Sequence, residues 1–153
     1  MPIPLSSLSS LTVARPRVVR DLMTPDPPVA TADTTVADVF RLVTEGPVDH
    51  VPVVDRAGRL LGTVSGRDLL HSMPPPAVAP GGQARFFARR VGDVMVEALL
   101  SVDEDDPPEL ALALMASERL LALAVVDGGG RPVGILSIED VAAALAHRLI
   151  GDR

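Results

Sequence analysis

The chain has 153 residues, of which 47% are hydrophobic and 22% charged, so it can bury one sizeable core or two smaller ones. Its net charge of −6 repels phosphate backbones, so we expect no nucleic-acid partner. The absence of cysteine excludes disulfides, thiolate metal sites and cysteine nucleophiles. The sequence contains no run of about 18 apolar residues, which a membrane span would need, and no recognisable signal peptide. We therefore expect a cytoplasmic protein without a membrane partner.

The first part of the chain predicts a flexible N-terminal tail, residues 1–17, followed by a strand–helix–strand–strand–helix unit over residues 18–72. Two apolar strands are predicted at Val51–Val54 and Arg59–Val64, and a closing helix at Arg67–Ser72. The helix between the first two strands is indicated by apolar residues at helical spacing: Val36, Val39, Phe40 and Val43. Thr35 and Asp38 can cap its start.

Residues 73–89 are rich in proline and glycine, which predicts a linker. Near its end, Phe86 and Phe87 lie among arginines. We interpret this segment as a short helix that fills the seam between the two units. The alternative is a lid, or arginines that contact ligand phosphates.

A second unit over residues 90–149 repeats the order of the first, and residues 150–153 form a short C-terminal tail. Asp106 can cap its first helix, with Pro107 in the first helical position and Glu109 completing the cap. Two strands at Ala122–Val126 and Arg131–Leu136 follow, and a helix at Glu139–Leu149 ends the unit.

The two units are copies of one another at an offset of 72 residues. Thirteen positions are identical without a gap between residues 19–70 and their counterparts, where chance would give roughly three to five. The first-copy members are Val19, Asp21, Met23, Asp33, Leu42, Val53, Val54, Asp55, Gly58, Arg59, Gly62, Ser65 and Asp68. The chain is therefore an internal duplication.

Two short motifs recur in the duplication, Ser65-x-x-Asp68 and Ser137-x-x-Asp140. Each has the spacing of a helix capping box, which explains it without any ligand. The same geometry leaves free N–H groups and positive partial charge at a helix start, which suits a phosphate. No hydrolase, zinc-protease or phosphate-loop motif accompanies them, and the three histidines at 50, 71 and 147 lack metal-ligand spacing, so we expect no enzyme activity and no catalytic residue.

The ordered set of motifs, present twice, resembles the CBS domain, the repeat named for cystathionine β-synthase. The resemblance covers residues 18–147 and is carried in the first copy by Val18–Met23, His50–Asp55 and Gly62–Asp68, and in the second by Val91–Met95, Ala122–Asp127 and Gly134–Asp140. It implies an α/β (α+β) fold of two βαββα repeats packed with pseudo-twofold symmetry.

The resemblance also implies a function. Such a stand-alone pair is expected to bind AMP, ADP or ATP in clefts between the repeats, as a regulatory ligand rather than a required cofactor. It is expected to form a disc-like homodimer and to control a protein partner that the sequence does not identify. Ligand-dependent changes in the repeat or dimer arrangement would carry the signal.

By the same resemblance, the nucleotide is held by two sets of residues. Ser and Asp of each capping motif would contact ribose and phosphate, and Arg67 would assist: Ser65, Arg67, Asp68, Ser137 and Asp140. The adenine would lie in an apolar slot formed by Pro28, Val48, Asp49 and His50 in one copy and by Leu100, Leu120, Leu121 and Ala122 in the other. Asp68 would serve the slot with Leu100, and Asp140 the slot with His50. Because Glu139 replaces Arg67 in the second copy, we expect the Asp68 site to tolerate polyphosphates better.

Other functions stay open from the sequence. The chain could be a dimerisation scaffold whose nucleotide sites have lost their function, in which case the two Ser-x-x-Asp motifs would serve only as helix caps. An S-adenosyl methionine sensor would use the same clefts. A metal sensor would use the acidic run Asp103–Asp106, although a solvated helix cap explains that run as well.

Overall fold

A computed structural model describes residues 16–77, 80–97 and 100–151, without the side chains of 147–151. Most of the expected tails, residues 1–15 and 152–153, therefore lie outside the described residues. The predicted order of elements is confirmed in both repeats. The first contains β2 (Ala30–Thr31), α1 (Val36–Glu45), β3 (His50–Val54), β4 (Leu60–Ser65) and α2 (Gly66–Ser72). The second contains β6 (Ser101–Asp103), α4 (Pro108–Glu118), β7 (Ala122–Val126), β8 (Pro132–Ser137) and α5 (Ile138–Gly151).

Two short strands precede the repeats and were not predicted: β1 (Thr24–Pro25) and β5 (Val96–Glu97). Each lies on the sheet of the other repeat. One sheet has the order β2-β3-β4-β5 and the other the order β1-β8-β7-β6. In each sheet the first and second strands of the repeat are parallel and the other neighbours antiparallel.

The leading segments, residues 18–25 and 90–97, are thus exchanged between the repeats. Each docks on the loop before the first helix of the opposite repeat through backbone N–H donors. The four bonds are Val19 to Asp106 (2.9 Å), Arg20 to Glu104 (3.0 Å), Val91 to Thr34 (2.8 Å) and Gly92 to Ala32 (3.0 Å). Counterpart bonds at the offset of 72 make the exchange pseudo-symmetric.

Apolar residues from the leading segments complete the opposite cores. Val91 belongs to the first core, which also contains Val36, Val39, Val51, Val53, Val64, Leu69 and Phe86. Val19 belongs to the second core, which also contains Val102, Ala111, Met115, Leu123, Val125, Leu136 and Val141. Both valines are fully buried. Neither core is therefore complete without a segment from the other copy.

The linker contains a helix, α3 (Gly82–Phe87), as predicted, but its position corrects the expectation. Phe86 is 3% exposed within the first core, not in the seam between the repeats. Phe87 packs edge-on against Phe40 of α1, with ring centroids 5.4 Å apart. The linker helix therefore covers the helical face of the first repeat, because α1 presents an aromatic ring there.

The cap of α4 also differs from the prediction. Pro107 is the N-cap and Pro108 the first helical residue, one position later than expected. The Asp106 carboxylate instead accepts the N–H of Asp103 at 2.8 Å. A turn over residues 103–106 forms in place of the predicted cap, because the Asp106 carboxylate then accepts the Asp103 N–H group directly.

Candidate functional site

The two repeats meet along a small apolar seam. Val48 of the first repeat packs with Ala124 and Ile135 of the second, and all three are buried. Leu60 and Ala122 border this cluster. A backbone bond from Leu60 N–H to the Gly130 carbonyl, 2.9 Å long, fixes the turns of the two repeats to each other.

The first capping motif begins helix α2 at the end of β4. The Asp68 N–H donates to Ser65 Oγ (3.1 Å), and Asp68 Oδ2 accepts from both the Ser65 N–H (3.0 Å) and the Ser65 hydroxyl (2.8 Å). Ser65 is 5% exposed, whereas Asp68 is half-buried. The other oxygen, Oδ1, has no hydrogen-bond partner among the residues that the structure describes. The side chain is thus held by one oxygen and presents the other.

The second motif repeats this geometry at the start of α5. Ser137 N–H donates to Asp140 Oδ2 (2.8 Å), and Asp140 N–H donates to Ser137 Oγ (3.2 Å). Both residues are half-buried. Here too, within the described part of the chain, Asp140 Oδ1 makes no hydrogen bond. The capping interpretation is therefore correct in both copies, and it leaves each carboxylate able to accept a further donor.

Two slot residues of the first copy, Val48 and His50, adjoin the seam and the first capping motif. Val48 is in the seam, in contact with the cluster that contains Ile135, two residues before Ser137. His50 lies opposite Ser65 in the β3–β4 ladder. Its Nδ1 is 2.9 Å from Asp49 Oδ1, and this hydrogen bond holds the pKa of the exposed Asp49 carboxyl below its ordinary value. The segment before β3 therefore adjoins both its own helix start and the opposite sheet.

Pro28 lies where the chain crosses between the sheets. β1 pairs with β8, which ends at Ser137, and β2 lies on the first repeat's sheet, so residues 26–29 span the gap. Pro28 is half-buried there. Residues 26–29 therefore run from β8, which ends at the Ser137 motif, to the sheet of the first repeat. This course is compatible with the prediction that Asp140 and Pro28 serve the same site.

Two slot residues of the second copy are exposed apolar side chains. Leu100 is 37% and Leu121 51% exposed. Leu120, the counterpart of Val48, packs against the second core and not in the seam cluster. Ala122 borders the seam and lies opposite Ser137 in the β7–β8 ladder. The two predicted slots are therefore not equivalent.

The charges beside the two acids also differ. Arg67 is exposed, and its guanidinium forms no ion pair with a described residue. Glu139 takes its place in the second repeat and is exposed as well. Sequence reasoning did not identify Ala124 and Ile135 as seam residues. The only signal was their apolar character on strands, which they share with every core residue.

Two further carboxylates, those of Asp55 and Asp127, have structural roles. Asp55 Oδ1 accepts the N–H groups of Arg59 (2.9 Å) and Ala57 (2.8 Å), which lower its pKa. In the second repeat the N–H groups of Arg131 (3.0 Å) and Gly129 (2.8 Å) lower the pKa of Asp127 in the same way. Both anchor tight turns.

Two residues of the acidic run Asp103–Asp106 form ion pairs within the protein. Arg20 of the first leading segment reaches Glu104 (3.1 Å) and Asp105 (2.5 Å). In the described residues, no three His, Asp or Glu side chains are grouped so that they could hold a metal ion. None of the described helices combines the length and the apolar character that crossing a membrane requires.

Comparison with protein-family models finds the CBS domain twice, at residues 19–75 and 91–147. The two matches coincide with the two repeats of the structure. They cover the capping motifs, the seam residue Val48 and most of both leading segments.

Solved structures of CBS-pair proteins are similar to this chain. CBSX2 of Arabidopsis thaliana, crystallised in complex with AMP, is 30% identical with a TM-score of 0.72, over 86% of this chain and 98% of that one. The cytosolic domain of the Mg²⁺ channel MgtE in complex with ATP is 31% identical with a TM-score of 0.66, over 83% of this chain and 48% of that one.

Curated relatives are longer proteins. Inosine-5'-monophosphate dehydrogenase of Mycobacterium tuberculosis is 29% identical over 128 residues, which are 83% of this chain and 22% of the enzyme. The chain thus spans about a fifth of the length of the first such relatives, and the likeness concerns the paired repeats, not a catalytic domain. With both repeats matched by the family model and folded as a pseudo-symmetric pair, this chain belongs to the CBS domain family.

Proposed function

We propose that this chain is a regulatory module that binds an adenine nucleotide in the clefts between its repeats. The proposal rests on one observation. In both repeats, the aspartate of the capping motif uses only one of its two carboxylate oxygens in hydrogen bonds to described residues. Asp68 and Asp140 are each fixed through Oδ2 and present Oδ1. A carboxylate held in this way can accept hydrogen bonds from ribose hydroxyls. That a CBS-pair protein was crystallised with AMP and a CBS-containing domain with ATP supports the choice of ligand.

The signal would arise by linkage between binding and repeat arrangement. Each cleft takes residues from both repeats, so a nucleotide binds one relative orientation better and shifts the equilibrium towards it. A second copy of the module, paired as a homodimer, and a regulated protein partner would sense that shift. No residue of this module needs a catalytic role.

Thermal unfolding with AMP, ADP, ATP, S-adenosyl methionine and NAD tests the proposal. A ligand at 100 times its Kd adds about 2.7 kcal/mol per site, or roughly 5 to 10 °C for a chain of this size. Dye fluorescence or circular dichroism must report unfolding, because the chain has no Trp or Tyr.

Asp68→Asn and Asp140→Asn identify the working site, because asparagine can still accept the serine N–H while it lacks the charge. We expect each variant to lose the nucleotide response of its own site. Asp38→Asn is the matched control, since Asp38 occupies the same position at the start of α1 and bonds Thr35 in a similar way. A flat response to all five ligands favours the scaffold function. A response to S-adenosyl methionine alone reassigns the ligand.

The charge difference between the clefts predicts a difference in ligand preference. We propose that Arg67, which forms no ion pair with any described residue, favours ATP at the Asp68 site, whereas Glu139 disfavours added phosphates at the Asp140 site. Titration calorimetry of Arg67→Gln should show a larger loss of affinity for ATP than for AMP. Glu139→Gln should not show this pattern. Equal losses for the two ligands in Arg67→Gln contradict the assignment.

A further inference from the structure

The side chain of His50 lies on the face of its sheet that is turned away from the first core. His50 pairs with Ser65 in the β3–β4 ladder, and the next pair, Val51 with Val64, is fully buried in that core. Successive side chains of a strand point to opposite faces, and directly paired residues share a face. The imidazole and the Ser65 side chain therefore share the other face, where the His50 side chain is 21% exposed.

The second repeat shows what lies against this face. At the offset of 72, His50 corresponds to Ala122, which borders the seam cluster. Ala124, on the same face of β7, belongs to the cluster and packs with Val48. His50 follows Val48 by two residues. The imidazole is thus a polar group at the edge of the apolar seam, beside the first capping motif.

A hydrogen bond to Asp49 fixes which ring nitrogen of His50 carries a proton. Nδ1 lies 2.9 Å from Asp49 Oδ1. The same bond lowers the pKa of the Asp49 carboxyl, so at neutral pH this group is an ionised carboxylate, which can only accept hydrogen bonds. Nδ1 must then carry the hydrogen, and a neutral imidazole keeps Nε2 as an acceptor. Nε2 has no hydrogen-bond partner among the residues that the structure describes.

We propose that His50 selects adenine over hypoxanthine and guanine in the cleft that it borders. The assignment rests on the proposed function, which brings an adenine nucleotide into that cleft. The 6-amino group of adenine donates hydrogen bonds, and Nε2 can accept one. Hypoxanthine and guanine carry a carbonyl oxygen at the same position, so two acceptors would face each other. A site with a fixed acceptor rejects a base that lacks the matching donor.

The duplication provides an internal comparison. Ala122 occupies the position of His50 in the second repeat, and its side chain has no acceptor. By the predicted pairing, Asp140 serves the slot with His50, and Asp68 serves the slot with Ala122. We therefore expect the Asp140 site to distinguish the 6-amino from the 6-oxo base and the Asp68 site to bind both alike. Asp49 is a positioning residue, because it acts through His50.

Titration calorimetry with AMP and IMP tests the proposal on the full chain at pH 8, where imidazole side chains are ordinarily neutral. In Asp68→Asn, which keeps the cleft beside His50, we expect AMP to bind at least about tenfold more tightly than IMP. Adding His50→Phe keeps an aromatic ring without an acceptor and should reduce this ratio to about twofold or less. Asp140→Asn, which keeps the other cleft, should bind the two nucleotides within about threefold of each other.

The matched control is His71→Phe in the Asp68→Asn background. His71 is an exposed histidine of the same repeat, and its ring bonds the Arg67 carbonyl at 2.9 Å. This variant should leave the AMP-to-IMP ratio unchanged. A ratio that falls equally in His71→Phe and His50→Phe overturns the proposal, because the loss would then not depend on the Nε2 acceptor of His50.

The tautomer can be measured without any nucleotide. Ring-nitrogen NMR at pH 8, with the His50 signals identified by their loss in His50→Phe, should show the hydrogen on Nδ1, and Asp49→Ala should remove this preference. A hydrogen on Nε2 in the unsubstituted chain overturns the proposal whether or not nucleotides bind.

The binding measurements separate the two proposals. Equal affinities for AMP and IMP in Asp68→Asn overturn the assignment of His50 and leave the proposed function standing. So does a failure of Asp68→Asn to bind AMP while Asp140→Asn binds it, because no nucleotide then lies beside His50. If the unsubstituted chain binds no adenine nucleotide, both proposals are overturned.

Discussion

The exchange of leading segments makes a quantitative prediction at two equivalent glycines. Gly62 on β4 pairs with Glu97 of β5, and Gly134 on β8 pairs with Pro25 of β1. A Cβ on Gly62 would lie 2.5 Å from the Val96 carbonyl oxygen and 3.1 Å from Met95 Sδ. The three atoms nearest to a Cβ on Gly134 would all belong to the side chain of Met23. Alanine at Gly62 must therefore displace backbone, whereas alanine at Gly134 must displace a flexible side chain.

The magnitudes follow from two opposing effects. Overpacking costs typically about 1–3 kcal/mol. Replacing glycine by alanine, where the backbone allows it, restricts the unfolded chain and returns about 0.4–1 kcal/mol. Neither glycine has a positive φ, so alanine introduces no backbone strain. We expect Gly62→Ala to lose about 1–2 kcal/mol, a fall in Tm of about 2–8 °C, and Gly134→Ala to lose less than about 1 kcal/mol.

Thermal unfolding followed by circular dichroism measures both variants under one set of conditions. The pair is its own control, because the two glycines occupy the same position in the duplication. A Gly134→Ala loss equal to or larger than that of Gly62→Ala refutes the reasoning. So does an unchanged Tm in Gly62→Ala, because β5 would then not lie against β4 as the structure places it.

Two further predictions concern packing and charge. Phe86→Ala should lower the free energy of unfolding by about 3–5 kcal/mol and the half-buried Phe87→Ala by less, measured by urea titration; the reverse order would place Phe87 in the core instead. Asp127→Asn should destabilise the chain at pH 7, and the loss should become smaller as the pH falls below the unfolded pKa of about 3.9. The backbone bonds lower the pKa of Asp127 in the folded state, so its contribution is present above the unfolded pKa of about 3.9 and is lost as the pH falls through the folded pKa. Urea titrations of both proteins at pH 7, 5 and 3 measure this, and a constant difference across the three contradicts it.

The features that the sequence predicted well are those fixed by residues close together in the chain. Strand β7 has the predicted bounds, Ala122–Val126, because its apolar run ends at a turn anchored by Asp127. Both capping boxes form as predicted, because a serine and an aspartate three residues apart satisfy each other's backbone N–H groups locally. These interactions need no knowledge of the rest of the fold.

The position of α3 shows where local reasoning ends. Its sequence indicated a short helix with two adjacent phenylalanines, and that was correct. Which surface those rings cover depends on Phe40, more than 40 residues away along the chain, and on the crossing of the second leading segment to the first repeat. An aromatic pair in a linker indicates burial, but not against which partner.

The exchange of leading segments could not be read from the duplication for a more general reason. Aligning Val19 with Val91 shows that the two valines occupy equivalent environments, and both are indeed fully buried. The alignment is the same whether each valine completes the core of its own copy or that of the other, since exchange in both directions preserves every equivalence. The three-dimensional contacts distinguish the two arrangements: β1 pairs with β8, β5 pairs with β4, and the leading segments bond to the opposite repeats. The unit that was duplicated is therefore different from the unit that packs, because each core contains a valine from the leading segment of the other copy.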